Sequence, residues 1–189
     1  ASSKSYARTG EQTWNKMPKM NGELFALTYG AMVMQLIKDY EGVDEVNKQL
    51  EKMGYNIGIR LIDEFLAKSG VGVNCQNPQE TADVIAKVAF KMFLGVTADV
   101  TWNSQHTSFS LTLFDNPLTE FIELPPAYNG LIYSNALCGA IRGALEMVQI
   151  RAQCRIVRDT LRGDEVNEIQ VEILEHIEES MGEDYNDNS

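Results

Sequence analysis

Two consecutive stretches of this chain read as helices that are apolar on opposite sides, and this constrains the fold more than any other feature of the sequence. Across residues 22–40, Phe25, Tyr29, Met32, Val33, Leu36 and Tyr40 recur at helical spacing, while Leu24, Leu27, Ala31 and Met34 mark a second stripe. Residues 44–68 repeat the arrangement, with Val46, Leu50, Met53, Ile57, Leu61 and Phe65 on one side and Tyr55, Ile59, Ile62 and Leu66 on another. A helix with two apolar faces must be covered on both. One cover is the core; the other is expected to be a partner subunit.

Local chemistry punctuates the rest of the chain. In "NPQE", Asn77 is an N-cap, Pro78 takes the first helical position and Glu80 closes a capping box, so a third helix is expected to run to Leu94 and stop at Gly95. Ala82, Ala86 and Ala89 line one strip of it beside Ile85, Val88 and Met92, leaving room for whatever faces them. "ADVTW" and "SFSLTLF" have the β-branched and aromatic content of strands. A fourth helix is expected over 131–150, with Tyr133, Leu137, Ala140, Ile141, Ala144 and Val148 on its core stripe. Its Gly139 and Gly143 would let another backbone come close. Ala152, Cys154 and Ile156, then Ile169, Val171 and Ile173, alternate as a hairpin around Gly163-Asp164. A helical reading through Ile169, Ile173 and Ile177 competes, but β-branched alternation favours the strand. The order predicts one α+β domain of helices over an antiparallel sheet. Residues 1–20, polar and without apolar periodicity, read as a mobile arm.

Charge and composition exclude several functions. The net charge is -11, and from Gly163 onward there is no Lys or Arg. Nucleic-acid binding needs clustered basic residues and is not expected. Three cysteines without CxxC spacing suggest a reducing, intracellular setting, and two histidines leave no metal site and no cofactor to predict. No apolar h-region opens the chain, and no window is long enough to span a membrane. "GVGVN" is not a dinucleotide fingerprint, and phosphate-loop and nucleophile-elbow motifs are absent, so catalysis is not expected.

Cys138 and Cys154 fall among apolar positions as small core residues. Cys75 differs, because it lies in the polar loop "KSGVGVNCQNPQE" before a capped helix start. A helix N-terminus favours thiolate. From spacing alone this is either an incidental surface thiol or an acylated or redox-active one.

"GELFALTYGAMVMQLIKDY", "MGYNIGIRLIDEFLAKS", "ETADVIAKVAFKMFLGVTADVTWN", "FSLTLFDNPLTEFIELP" and "LIYSNALCGAIRGALEMVQI" follow one another in order. Together they resemble the acylatable core small subunits of the transport protein particle (TRAPP), the blocked-early-in-transport number three family, over about 21–184. The resemblance implies an α/β plait, with helices packed on a twisted four-stranded antiparallel sheet and dimerisation through the first helices. It divides the chain into an arm (1–20), one domain (21–181) and an acidic tail (182–189). It implies a non-catalytic subunit of a vesicle-tethering complex in ER-to-Golgi transport, cytoplasmic and peripheral at the cis-Golgi and endoplasmic reticulum. The expected partners are other TRAPP subunits, a second copy when isolated, and a Rab-type GTPase on which the complex catalyses nucleotide exchange.

By the same resemblance Cys75 carries a palmitoyl or similar acyl group, held in an internal channel lined by Ala82, Ile85, Ala86, Val88 and Ala89. Asn74 stands where the family usually has Arg, in a loop one residue longer. Glu183 and Asp184, in a Gly-Glu-Asp ending like the family's, are expected to contact the GTPase. The alternative expectation is a homodimeric module that carries or senses fatty acyl chains.

Overall fold

A computed structural model describes residues 3–72 and 77–176. The helices are α1 (Ser3–Lys16), α2 (Gly22–Asp39), α3 (Val43–Ser69), α4 (Pro78–Val84), α5 (Phe90–Leu94) and α6 (Asn135–Met147). A π-helical turn, Ile85–Ala89, joins α4 to α5, so that they form one rod. The strands are β1 (Asp99–Trp102), β2 (Ser108–Leu113), β3 (Ile150–Arg158) and β4 (Asn167–His176), ordered β1-β2-β4-β3 with every neighbour antiparallel.

Helix boundaries follow short-range chemistry. Leu24 N–H donates to Asn21 Oδ1 (2.9 Å), and Glu80 N–H donates to Asn77 Oδ1 (2.8 Å), so both caps satisfy donors that a helix start leaves free. Gly70 ends α3 and Gly95 ends α5, each in the left-handed region where a Cβ would be strained. α6 starts later than its apolar pattern predicts. Residues before it are held in turns, with Asn116 Nδ2 donating to Ser134 Oγ and Ile132 N–H to Asn47 Oδ1.

The sheet packs one face on the helices. Phe109, Leu111 and Leu113 of β2 and Ile169 and Val171 of β4 point inward against Ala82, Ala86, Phe90, Ile141 and Leu145. Strand alternation therefore follows the hydrophobic pattern, as it must when one face is buried. A second cluster joins Tyr29 and Val33 of α2 to Val46 and Leu50 of α3. The other face of α2 stays uncovered, with Leu24 and Leu27 each 60% exposed and Met34 48%.

One expectation is corrected. Most of the stretch 1–20 is not a structureless arm, because α1 packs along the α4–α5 rod. Tyr6, Gly10 and Thr13 are buried, and Tyr6 joins Phe65, Val84, Val88 and Met92 in a third apolar cluster. The seam Tyr6, Gly10, Thr13, Met17 does recur at helical spacing. Its middle members are small or polar, so hydrophobicity does not reveal it.

Candidate functional site

α3 and α6 are pressed together by glycines. A Cβ at Gly54 would lie 2.0 Å from the Ala136 carbonyl oxygen, and one at Gly139 would lie 2.0 Å from that of Glu51. Neither contact tolerates a side chain. The larger side chains of the two helices splay to the same side, and the α4–α5 rod and α2 stand across from them without filling the space between.

That space is an apolar cavity of about 740 Å³. Met53, Ile57, Leu61 and Phe65 line it from α3, and Leu137, Ala140 and Ala144 from α6, with Val148 at the α6 C-cap. Phe25, Tyr29 and Met32 close it from α2; Ile85, Ala89 and Phe93 close it from the rod. Val71, Gly72 and Thr81, which bracket residues 73–76 in sequence, also line it. Ile57 is 47% exposed, so the cavity opens to solvent along α3. The volume is in the range of sites that hold small ligands.

The lining is electrically quiet. No Asp, Glu, Lys, Arg or His lines the cavity among the described residues. The Tyr29 hydroxyl donates to the Tyr133 carbonyl oxygen (2.6 Å), and burial followed by the nearby Tyr133 raises its pKa, keeping it neutral. The Thr28 and Thr81 hydroxyls on the wall likewise donate to backbone carbonyls, of Leu24 (2.6 Å) and Asn77 (3.3 Å), and apolar walls whose hydroxyls are already bonded suit a hydrocarbon chain rather than a polar substrate. Among the described residues no group of His, Cys, Asp or Glu is placed to hold a metal ion. Cys138 is buried and Cys154 half-buried, and burial pushes the Cys154 thiol up to about 12, so it remains protonated.

The residues expected to line a channel divide. Ile85 and Ala89 stand on the cavity wall. Ala82 and Ala86 do not, because both are fully buried in the core against the sheet. Val88 lies in the cluster on the α1 side of the rod. The π turn explains the split of the alanine strip. One extra residue in the turn rotates Ala89 away from the face that Ala82 and Ala86 share. It also frees the Ala86 carbonyl, which accepts the Ala98 N–H (3.0 Å). Cys75, Glu183 and Asp184 lie outside the described residues. Both walls were legible as apolar stripes; the α6 stripe was read as core, while the α3 stripes were divided between the core and a partner.

Helices layered on a four-stranded antiparallel sheet, around an apolar cavity with no charged side chain on its wall among the described residues, define a small α+β domain suited to holding a hydrocarbon chain. The chain belongs to the transport protein particle (TRAPP) component family, whose model matches residues 25–172. It is 57% identical over 181 residues to trafficking protein particle complex subunit 3 of Dictyostelium discoideum, covering 95% of this chain and 96% of that one. It is 46% identical over 188 residues to trafficking protein particle complex subunit BET3 of Saccharomyces cerevisiae, covering 96% and 97%. A crystal structure of a trafficking protein particle complex subunit 3 from Naegleria fowleri, covalently bound to palmitic acid, superposes with a TM-score of 0.82. That structure is 51% identical, and the match covers 86% of this chain and 100% of that one.

Proposed function

We propose that this chain is a non-catalytic core subunit of the transport protein particle, acting with other TRAPP subunits in vesicle traffic between the endoplasmic reticulum and the Golgi. It holds an acyl chain, attached through Cys75, inside the apolar cavity. The observation that carries this reading is the 740 Å³ cavity with Val71, Gly72 and Thr81 on its wall, in a chain 51% identical to one covalently bound to palmitic acid. Burial at ~0.8 kcal/mol per CH₂ makes a long acyl chain worth on the order of 10 kcal/mol, comparable with the stability of a whole domain. Such a chain acts as a removable part of the core rather than as a membrane anchor. No helix among the described residues is long and apolar enough to cross a membrane. Association with the cis-Golgi and endoplasmic reticulum would then be peripheral and through the complex.

Intact-mass analysis of protein from its native source tests the attachment. A hydroxylamine-labile acyl adduct is expected, and Cys75→Ser abolishes it. An unmodified native mass overturns attachment.

The same reading gives the uncovered α2 stripe, Leu24, Leu27, Ala31 and Met34, to a neighbouring subunit or a second copy. It gives Glu183 and Asp184 to a composite surface for nucleotide exchange on a Rab-type GTPase.

A further inference from the structure

We propose that α1 is a strap that holds the rod wall of the cavity shut, and that its release frees a bound apolar chain; the second half rests on the acyl-chain reading above. The rod has two working faces. Val88 and Met92 pack with Tyr6 of α1, Ile85 lines the cavity, and Val84, Ala89 and Phe93 touch both the Tyr6 cluster and the cavity. Force on one face is transmitted to the other through a single helix thickness.

The contact centres on the π turn of the rod. A Cβ at Gly10 would lie 2.1 Å from the Lys87 carbonyl oxygen and 3.2 Å from the Val88 Cα, so α1 rests on the backbone of the π turn itself. π turns are rare single-turn departures from the α-helix, frequent at functional sites, and this one has support from outside. α1 supplies it at four points along the rod. The Tyr6 hydroxyl donates to the Glu80 carboxylate near the start of α4. Gly10 abuts the middle, and Glu11 pairs with Lys91 (3.0 Å). Trp14 covers the end, within 3.0 Å of where a Cβ on Gly95 would stand, with the Lys19 ammonium 4.0 Å from its ring centroid.

α1 is nevertheless held by little. Its buried seam consists of one aromatic, a glycine and a threonine, and its ion pair is partly exposed. Elements with few buried apolar contacts open independently of the global fold. The rod, by contrast, is anchored on its sheet side by Ala82, Ala86 and Phe90. α1 can therefore detach while the domain stays folded, loosening Ile85–Ala89 and the cavity wall.

The experiment uses the full chain carrying Cys75→Ser, so that cis-parinaric acid binds reversibly. Its dissociation rate is measured with and without Gly10→Leu and Trp14→Ala, beside amide hydrogen exchange. The expected result is dissociation about tenfold faster, faster exchange across 85–94 and unchanged protection of β2 and β4. Unchanged dissociation and unchanged exchange across 85–94, with α1 amides shown to be released, overturn the strap. If the starting chain does not bind the fatty acid, the acyl-chain reading fails instead, and exchange across 85–94 alone decides the strap. Should Gly10→Leu not fold, Trp14→Ala and Tyr6→Phe, which leave the backbone seam intact, carry the same comparison.

Discussion

The backbone of Gly58 rests on that of Ala140: a Cβ at Gly58 would lie 2.1 Å from the Ala140 carbonyl oxygen. Gly143 stands likewise on Tyr55, at 2.3 Å from its carbonyl oxygen. The Ala140 side chain turns into the cavity. Glycines on both helices thus set the spacing of two cavity walls, and a larger residue would have to push the helices apart.

Gly58→Ala is accordingly expected to destabilise the domain by about 2 kcal/mol, because the clash is with backbone and no rotamer relieves it. For a chain of this size that lowers the melting temperature by roughly 4–8 °C. Calorimetry or thermal circular dichroism measures it. A melting temperature equal to the native one would mean that the seam yields easily.

Ala89 and Ala86 should respond in opposite ways to the same enlargement. Ala89→Leu grows into open space and is expected to change stability by less than about 1 kcal/mol while reducing acyl retention. Ala86→Leu grows into packed core at 0% exposure and should cost about 3 kcal/mol or more. Paired urea titrations with intact-mass analysis separate the two. Equal losses in both variants would show that the cavity wall is ordinary core.

Asp159 carries a pH dependence of unusual sign. It is 2% exposed, its Oδ1 accepts the Leu161 N–H (2.9 Å), and its Oδ2 is buried with no hydrogen-bond partner among the described residues. Burial raises its pKa above the ordinary carboxylate value, outweighing Leu161 and Arg162, which pull it down. Between the unfolded and the raised folded value the native state holds more protons than the unfolded one. Stability contributed here therefore falls as pH rises through that window. Asp159→Asn keeps an acceptor for Leu161 and removes the buried charge. It should be more stable than the native chain at neutral pH, and the difference should vanish near about pH 3. Denaturant titrations across pH check this, and a pH-independent difference would exclude the buried charge as its cause.

The acidic ending is tested by removing residues after Met181. Nucleotide exchange by a reconstituted complex should slow, while assembly, followed by size-exclusion chromatography, stays intact. Exchange at the native rate would remove Glu183 and Asp184 from the composite surface. Failed assembly would give the tail a structural role instead.

How much of this was legible before any coordinates depends on the range of the force involved. Asn77, Pro78 and Gly95 bound their helix through bonds within a few residues, and the alternation of Phe109, Leu111 and Leu113 needs only the two-residue period of a strand. Those elements were readable directly, as was the glycine spacing of α6. α1 was not, because Gly10 and Thr13 are buried for their small size and not for their hydrophobicity.

The sequence by itself determined most of the helices and strands, the caps that bound several of them, and which faces must leave water, but not α1 or the start of α6. Only the tertiary structure decided that Leu137, Ala140, Ala144 and Val148 face a cavity while Ala82 and Ala86 face a filled core. The physical reason is that the hydrophobic effect rewards removal from water whatever lies opposite, so packed core and cavity wall are written in the same residues. Which of the two results depends on how far apart the backbones stand. Here the glycine seam and the π turn set that distance, both through contacts between residues remote in sequence.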